Sequence, residues 1–509
     1  MKLILAIDVG TSSTRAALVD PSFQVHALSQ QAYPLHTPRP GWAEQDLDQV
    51  MQALDQAVRA CLAQKPAGGK ILGISIDTAM HSLVLLDEED KPLTPLWTWA
   101  DMRAAPQARD MAADRALAES LYAATGCPVH AVYLPAKIRW LRQERPELLA
   151  KTKTLASIKS FLLQRLTGER VEEMAMASTS GLFNVHSLAW HPAALQAAGI
   201  DDPILLPRLI APESIAGHLL DEVARSWNIP AVPVVAGGTD GPFANIGAGA
   251  VEAGDMAITV GTSSAVRMIV PAPKLDVLQR TWCYYLGDAT WIVGGAINGG
   301  GSTLDWLASA FPGLTGGARR HERLDELAES VPPGAEGLIF APYLAGERNP
   351  GWQGAARGYM AGIGLHHRAP HFVRAAMEGI AYQIAWVYQG VAETAGEPRS
   401  VRITGGFVNS RVWPQILADV LGRELEVPIS NEGSLLGAAA FGFSAVDPSI
   451  DWREMARQVP VTARIAPDPS RHQRYQEILR VYQELYEAIR PHFEPVASLG
   501  DTGGGELRG

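Results

Sequence analysis

The sequence carries one short segment twice, and its residue types suit phosphate binding. The stretches AIDVGTSSTRAALV (6–19) and AITVGTSSAVRMIV (257–270) are identical at eight of fourteen positions. Each has an apolar run that ends at Gly-Thr-Ser-Ser, which predicts a strand, a turn and a returning strand. Successive N–H and hydroxyl groups in such a turn form an anion-binding nest. The alternative, that each copy is only a hairpin turn, applies better to one copy than to two.

An acid distinguishes the two copies. Asp8 stands in the first copy where Thr259 stands in the second. Mg²⁺ in proteins is usually held by one or two carboxylates together with phosphate oxygens and water. A single carboxylate therefore fits one cation shared by two nests that bind the same polyphosphate.

A second acid stands in VVAGGTDGPFANIGAG (234–249). Asp240 follows an apolar run that predicts a strand, and glycines flank it. A carboxylate at a strand end beside a cleft can accept a proton from a hydroxyl, as a general base does. The alternative is an ordinary aspartate in a glycine-rich turn.

The composition is that of a globular protein of two or three domains, with 509 residues, 47% hydrophobic and 19% charged. A net charge of −11 argues against a nucleic-acid partner. Three scattered cysteines predict reduced thiols and a cytoplasmic protein. Neither a signal peptide nor a membrane span is predicted, because the apolar runs are too short.

Helical and strand patterns alternate along the chain. The periodicity predicts helices over 46–62, 370–395, 411–421 and 471–490, with a strand over 71–77 and a strand followed by a turn over 401–408. This alternation predicts an α/β fold whose sheets are covered on both faces. Small residues over 242–249 suggest the boundary between the two halves.

Five motifs together resemble the FGGY carbohydrate kinases over roughly residues 3–490. They are DVGTSSTR (8–15), YLPAKIRWL (133–141), GGTDG (237–241), GYMAGIGLHHRAPHFVRAAMEG (358–379) and GGFVNSRVWPQILADVLG (405–422). The resemblance implies two actin-like ATPase (ribonuclease H-like) domains flanking a central cleft, at 1–243 and 244–494. The glycine-rich tail, 495–509, is expected to be disordered. The second and fourth motifs look structural, so Lys137 and Glu378 are not expected to be catalytic.

The resemblance also implies the cofactors, ATP and Mg²⁺, and the role of each site residue. Asp240 would be the general base and Asp8 would organise Mg²⁺. The residues expected to bind ATP are Thr11, Ser12, Ser13, Arg15, Gly261, Thr262, Gly301, Gly405, Gly406, Asn409 and Ser410. A homodimer would be compatible with the resemblance, although no surface pattern indicates one.

Three segments resemble the gluconate kinase branch of the family: DTAMHS (77–82), TWADMR (98–103) and PYLAGERNPGW (342–352). Ala79 and Ser82 stand where Gln and Gly would indicate a xylulose kinase. The residues expected to bind the acceptor are Ala79, Met80, His81, Trp99, Asp101, Arg103, Arg348 and Asp240. A carboxylate on the acceptor needs a cation, for which His81, Arg103 and Arg348 are the candidates.

Structural roles for these residues, without any contact to the acceptor, also stay open. Arg103 could pair with Asp101, Arg348 could pair with Glu347, and Trp99 could belong to the core. Among functions, the alternatives are a ketopentose kinase acting on D-xylulose, a non-catalytic sugar sensor on the same scaffold, and an ATPase without a small-molecule acceptor.

Overall fold

The computed structural model describes residues 1–311, 320–429 and 432–501. The strands, in chain order, are β1 (Lys2–Val9), β2 (Ser13–Val19), β3 (Val25–Ala32), β4 (Glu44–Gln45), β5 (Lys70–Thr78), β6 (Val84–Leu86), β7 (Leu96–Trp97), β8 (Thr154–Ala156), β9 (Val171–Glu173), β10 (Phe183–Asn184), β11 (Ala189–Trp190), β12 (Arg208–Ile210), β13 (Ile215–His218), β14 (Pro233–Thr239), β15 (Asp255–Val260), β16 (Ser264–Val270), β17 (Trp282–Gly287), β18 (Thr290–Ile297), β19 (Ile339–Ala341), β20 (Tyr359–Ala361), β21 (Ser400–Thr404), β22 (Leu425–Pro428) and β23 (Val461–Ile465).

The helices, in chain order, are α1 (Leu47–Leu62), α2 (Ala105–Ala113), α3 (Arg115–Thr125), α4 (Leu134–Glu144), α5 (Pro146–Lys151), α6 (Ile158–Thr167), α7 (Met174–Ser178), α8 (Pro192–Ala198), α9 (Asp221–Trp227), α10 (Asp240–Gly247), α11 (Gly301–Ala310), α12 (Arg320–Glu329), α13 (Ala369–Ala395), α14 (Trp413–Leu421), α15 (Gly433–Val446), α16 (Trp452–Arg457), α17 (Pro469–Ile489) and α18 (Phe493–Asp501). Short 3₁₀ helices cover Pro203–Leu205, Ala335–Gly337, Gly406–Asn409 and Arg490–His492. Among the described residues, no helix is both long enough and apolar enough to cross a membrane.

The chain divides into two compact units. Unit 1 comprises Met1–Ala253, Ile269–Val293 and Glu432–Val459, and unit 2 comprises Gly254–Met268, Gly294–Asn431 and Pro460–Gly509. Neither unit is one continuous stretch, unlike the predicted domains 1–243 and 244–494. The predicted boundary therefore stays a prediction; most of the segment expected there, 242–249, lies in helix α10.

Unit 1 is built on a six-stranded sheet of order β13-β14-β5-β1-β2-β3. Strand β1 pairs with β2 as the predicted hairpin and lies parallel to β5, which lies parallel to β14. The carboxyl ends of β1, β5 and β14 therefore meet at one edge of the sheet. Residues placed just there, or immediately after, are brought together from distant parts of the sequence.

Helices cover both faces of this sheet, as the sequence predicts. On one face α1 buries Val50, Leu54 and Val58 in a core that also includes Ile7 and Ile76. On the other face α15 packs against β1, β5 and β14. A Cβ on Gly442 of α15 would lie 2.8 Å from a methyl carbon of Ile4, so this close approach requires glycine.

Unit 2 repeats part of this plan. Strand β15 pairs with β16 as the second predicted hairpin and lies parallel to β21, which in turn lies parallel to β22. Strand β23 then adds antiparallel to β22. The β15–β21 pair thus corresponds to the β1–β5 pair of unit 1.

Several predicted element ends differ from the observed ones by a few residues, and two of these differences have simple reasons. Helix α1 begins at Leu47 because Asp46 is its N-cap and accepts hydrogen bonds from the N–H groups of residues 48 and 49. The tail predicted to be disordered from 495 is helical to Asp501, and residues 502–509 lie outside the described residues.

Candidate active site

The turn of unit 1 has its carbonyl groups engaged by neighbouring residues. The Tyr33 hydroxyl donates to the Gly10 carbonyl over 2.7 Å, and Gln45 Nε2 donates to the Thr11 carbonyl over 2.6 Å. The backbone N–H of Tyr33 donates to the carbonyl of Ser12 over 3.0 Å. Carbonyl oxygens repel phosphate, so engaging three of them favours a turn that presents N–H and hydroxyl groups to an anion.

In the turn of unit 2 the carbonyl groups also accept hydrogen bonds, but from different residues. The N–H of Gly301, at the start of α11, donates to the Gly261 carbonyl over 2.7 Å. Ser302 Oγ donates to the Thr262 carbonyl, also over 2.7 Å. A Cβ on Gly300 would lie 2.6 Å from the Gly261 oxygen, so this helix start can approach the turn only through glycine.

The two turns share the sequence VGTSS, but the pairing of the strands that flank them differs by one residue. In unit 1 Val9 pairs with Thr14, whereas in unit 2 Val260 pairs with Ser264. A shift of one residue reverses the face to which a side chain points. Ser264 is accordingly buried, while its sequence counterpart Ser13 is half-buried.

Asp8 lies at the end of β1 in a network of charged and polar groups. It accepts hydrogen bonds from Arg15 Nε over 3.0 Å and from Ser434 Oγ over 3.0 Å. Arg15 Nη1 also donates to Glu432 over 2.7 Å. Burial alone would lower the pKa of Arg15, but the charges of Asp8 and Glu432 more than offset it and the pKa is raised. Sequence analysis missed Glu432 and Ser434, because they precede and begin α15, more than 400 residues away.

Asp240 is the first residue of α10, immediately after β14. Its Oδ1 accepts a hydrogen bond from the N–H of Gly241 over 2.7 Å. The first turn of a helix favours a negative charge. The predicted base therefore lies at the carboxyl end of a central strand, half-buried and in the same unit as Asp8.

A buried lysine fixes the strand that leads to Asp240. Lys159 Nζ donates to the carbonyl of Ala236 over 2.8 Å and to that of Gly238 over 2.9 Å, and it also donates to the carbonyl of Ile76. These contacts span the point where the pairing of β14 with β5 changes register. Gly237 adopts φ +76°, and a Cβ there would lie 2.0 Å from the Ile76 oxygen. Sequence analysis did not identify Lys159, since nothing in its local pattern marks it.

A third acid, Asp77, also missed as a site residue, ends β5. It is the register partner of both Asp8 on β1 and Gly238 on β14. Burial raises the pKa of Asp77 well above its usual value, and the negative charges of Asp8 and Asp240 add to the shift. The signal was present in the sequence, because β1 and β5 both contain Ile-Asp just before their last residue.

The segment predicted to bind the acceptor lies against the phosphate turn. Trp99 Nε1 donates to Thr11 Oγ1 over 2.8 Å, and the N–H of Ala79 donates to the carbonyl of Val9 over 3.0 Å. A small cavity lies here, and its lining includes Thr11, Gln45, Ala79, Met80, Ser82 and Trp99. The structure thus brings together the predicted residues Thr11, Ala79, Met80 and Trp99.

Lys137 joins the two parts of this segment. Its Nζ donates to the carbonyls of His81 and Thr98, each over 2.9 Å. Burial lowers the pKa of Lys137 to about 8. These contacts give the second motif a structural role, as the sequence suggested.

His81 is buried and has a fixed ring orientation. Its Nδ1 lies 2.7 Å from the carbonyl oxygen of Thr179, which can only accept, so the proton resides on Nδ1. Its ring meets Tyr133 edge-on, with ring centroids 5.3 Å apart. The backbone of His81 has φ +60°, a left-handed conformation that is uncommon outside glycine.

Arg103 forms the ion pair that the sequence left open as its alternative role. Its Nε lies 2.8 Å from Asp101 Oδ1, and its Nη2 lies 2.6 Å from Asp101 Oδ2 and 2.5 Å from Glu44. The guanidinium carbon is 3.7 Å from the ring centroid of Trp42 and 4.0 Å from that of Trp97. Asp101, fully buried, also accepts from a backbone N–H. This arrangement explains both residues as parts of the core that supports residues 98–103.

The predicted nucleotide-binding residues from Gly261 onward lie in unit 2. Gly405 has φ +101°, and a Cβ on it would lie 2.3 Å from the carbonyl of Val260, whereas a Cβ on Gly406 would meet nothing within 4 Å. Gly405 therefore brings this loop, which continues to Asn409, close to the end of β15. The Ser410 hydroxyl donates to Asp325 over 2.5 Å and accepts from the start of α14, so it has a structural role.

Arg348 also lies in unit 2. Its Nη2 is 3.4 Å from the carbonyl of Ile297. The adjacent Glu347 accepts hydrogen bonds from the Tyr486 hydroxyl over 2.5 Å and from the N–H of Gly351 over 3.2 Å. Burial raises the pKa of Glu347 to about 7.

The oxygen ligands near Asp8 could supply some, but not all, of the ligands of a cation such as Mg²⁺. Among the described residues no group of three or more His, Cys, Asp or Glu side chains is arranged to hold a metal ion. Carboxylate oxygens are nevertheless the ligands that Mg²⁺ prefers, and Mg²⁺ needs only one or two of them beside a nucleotide. The residues therefore fit a cation that binds together with phosphate groups.

Comparison with known proteins identifies the family. The model of the N-terminal domain of the FGGY family of carbohydrate kinases matches residues 3–247, and that of the C-terminal domain matches residues 256–446. The chain belongs to the FGGY family of carbohydrate kinases. The fold of this kinase is accordingly the two-domain α/β fold of the family, as the sequence predicted.

Three relatives are similar to this kinase over nearly their whole length. The gluconokinase of Bacillus subtilis (strain 168) is 34% identical over 502 residues, which are 97% of each chain. The ligand-bound xylulose kinase of Lactobacillus acidophilus superposes with a TM-score of 0.92 at 28% identity, covering 97% of this chain and 100% of that one. The gluconate kinase of Lactobacillus acidophilus gives a TM-score of 0.91 at 28% identity, covering 97% and 99%.

Proposed function

We propose that this kinase transfers the γ-phosphoryl group of ATP to the primary hydroxyl of D-gluconate, giving 6-phospho-D-gluconate. The observation that carries the proposal is the hydrogen bond that Trp99 Nε1 donates to Thr11 Oγ1. It joins the segment assigned to the acceptor to the turn assigned to the phosphates. The choice of gluconate is supported by the 34% identity to a gluconokinase and by the segments DTAMHS and TWADMR. The two superposed structures, with equal identity, do not distinguish gluconate from xylulose.

Asp240 acts as the general base in this proposal. Its carboxylate accepts the proton of the acceptor hydroxyl as that oxygen bonds to the γ-phosphorus and the bond to the bridging oxygen of ADP breaks. Lys159 and Gly237 fix the strand end that orients Asp240. Such a reaction needs positioning and charge neutralisation more than covalent chemistry from the protein.

Both glycine turns bind nucleotide phosphates in this proposal. Thr11, Ser12, Ser13 and Arg15 act from unit 1, and Gly261 and Thr262 act from unit 2. Mg²⁺ associated with Asp8, when bound, neutralises charge on the phosphates. Gly301, Gly405, Gly406 and Asn409 line the nucleotide.

Acceptor binding is assigned to Ala79, Met80, His81 and Trp99, with His81 and Arg348 as the remaining candidates for binding the carboxylate. The ion pairs of Arg103 with Asp101 and Glu44 make Arg103 a positioning residue rather than a ligand.

A substrate panel tests the proposal. ADP formation is measured with D-gluconate, D-xylulose and glycerol, and without an acceptor. We expect the highest kcat/KM with D-gluconate. A higher value with D-xylulose would overturn the acceptor and favour the ketopentose kinase. Full activity without an acceptor would indicate a plain ATPase, and no phosphoryl transfer in a single turnover with labelled ATP would indicate a sensor.

A further inference from the structure

The carboxyl group of Asp77 is buried without a partner. The residue is 0% exposed. In the part of the chain that the structure describes, neither Oδ1 nor Oδ2 of Asp77 has a hydrogen-bond partner. A buried polar group that is not hydrogen-bonded is destabilising, and a buried charge more so. Asp77 therefore needs an explanation beyond the stability of the fold.

Lys159 and Arg15 are the cationic side chains whose charges act on Asp77, and both donate their hydrogen bonds to other groups. Lys159 has three N–H donors, and they contact the carbonyls of Ile76, Ala236 and Gly238. Arg15 donates to Asp8 and Glu432. Both cations act on Asp77 through space, but no hydrogen bond from either reaches it.

The duplicated half of the chain provides an internal comparison. Thr259 and Thr404 are register partners on β15 and β21, as Asp8 and Asp77 are on β1 and β5. The two threonine hydroxyls lie 3.0 Å apart and satisfy each other. Two ionised carboxylates in the same relationship can only accept hydrogen bonds, and they repel each other.

Charged neighbours act on Asp77 with opposite signs. Asp8 and Asp240 disfavour its ionised form, whereas Lys159 and Arg15 favour it. The ionised carboxylates of Asp8 and Asp77 would repel each other unless a cation bound both. Neighbouring parallel strands are about 4.8 Å apart, so the register partners Asp8 and Asp77 can act on the same ion.

We propose that Asp77 is the second carboxylate of the divalent-cation site, acting with Asp8 on the cation that accompanies the nucleotide. The inference rests on the proposed kinase function. A pair of carboxylates leaves the other positions of the cation to phosphate oxygens and water, as is usual for Mg²⁺. The cation should therefore bind tightly only when nucleotide is present.

Binding of Mn²⁺, detected by electron paramagnetic resonance in the presence of ADP, tests this inference without turnover. We expect Asp77→Asn, which preserves the shape of the side chain, to weaken Mn²⁺ binding by about 10- to 100-fold. Asp77→Thr, which introduces the residue type of unit 2, should do the same. Asp110→Asn, which removes an exposed carboxylate of α2, is the matched control and should leave Mn²⁺ affinity unchanged.

The outcomes separate the inference from the function on which it rests. Unchanged Mn²⁺ affinity in Asp77→Asn would overturn the role of Asp77 while the kinase function stands. A wild-type protein that binds no Mn²⁺ with ADP would contradict the proposed function instead. Without metal, Asp77→Asn should unfold at the same temperature as wild type or higher, because no hydrogen bond of the fold is lost and an amide is less costly to bury than a carboxylate. A lower unfolding temperature would make Asp77 a structural residue and would also overturn the inference.

Discussion

The indole Nε1 of Trp99 lies 2.8 Å from the Thr11 hydroxyl, to which it donates a hydrogen bond across 88 residues of sequence. One residue belongs to the segment assigned to the acceptor and the other to the turn assigned to ATP. This hydrogen bond links the two segments directly.

Replacement of Trp99 by Phe tests this link. The aromatic surface is retained and the N–H is lost, which removes one neutral hydrogen bond of about 1 kcal/mol. We expect kcat/KM for both ATP and the acceptor to fall about fivefold. Thr11→Ser, which keeps the hydroxyl, is the control and should remain near wild type, whereas Thr11→Val should lose at least as much as Trp99→Phe, because it also removes a hydroxyl assigned to the phosphates. If Trp99→Phe lowered kcat/KM for the acceptor but not for ATP, the link between Trp99 and the turn would be contradicted.

Asp8→Asn should change the response of the enzyme to magnesium. Removing the charge leaves the cation with fewer anionic ligands, so the Mg²⁺ concentration that gives half-maximal rate should rise about tenfold or more. Turnover at saturating Mg²⁺ should also fall. A magnesium titration that coincides with that of wild type would exclude Asp8 from the cation site.

Local patterns predicted the parts of the fold that local physics controls. Both hairpins form at the predicted places, and α1 spans the predicted stripe of apolar residues. Asp240 lies at a strand end because an apolar run, β14, stops at a glycine-rich segment. These features depend on side-chain periodicity and turn residues, which a single sequence displays directly.

Long-range packing produced the features that the sequence could not reveal. Two identical VGTSS turns differ in register, and different elements pack against them: Tyr33 and Gln45 in unit 1, and the start of α11 in unit 2. Lys159 and Ser434 approach the acidic residues only because α6 and α15 pack on the sheet. Arg103 resembled a substrate ligand in sequence, yet nearby carboxylates and tryptophans enclose it.

Glu378 should govern stability and not catalysis. It is buried and accepts hydrogen bonds from Arg374 Nε over 2.7 Å, from Tyr475 over 2.7 Å and from the N–H of Gly334 over 2.9 Å. Glu378→Gln leaves the Arg374 charge uncompensated, which should lower the free energy of unfolding by about 3–5 kcal/mol. We expect a clear fall in Tm, with kcat of the folded variant close to wild type at low temperature. A large loss of kcat in fully folded variant would show that the fourth motif acts in catalysis.

Glu347 should make the kinase less stable as pH rises. Its pKa is about 7 in the folded protein against 4.5 for the ordinary group, because burial disfavours the charged form. Between those values the folded state binds more protons than the unfolded state, so its contribution falls by up to about 3 kcal/mol as pH rises through 7.

The comparison of Glu347→Gln with wild type isolates this effect. The difference in free energy of unfolding between the two proteins should shift in favour of the variant from pH 5 to pH 8.5. Glu484→Gln, an exposed position on α17, is the control and should show no such trend. A difference that does not vary with pH would refute ionisation of Glu347 in this range.

The rate of phosphoryl transfer by Asp240→Asn, measured in single turnovers with labelled ATP and D-gluconate, tests the account most directly. The side chain keeps its size but cannot accept the hydroxyl proton. We predict a fall in rate of about two to four orders of magnitude, with D-gluconate binding by calorimetry unchanged. A variant that transfers phosphate at a near-normal rate would contradict the role of Asp240 and the mechanism built on it.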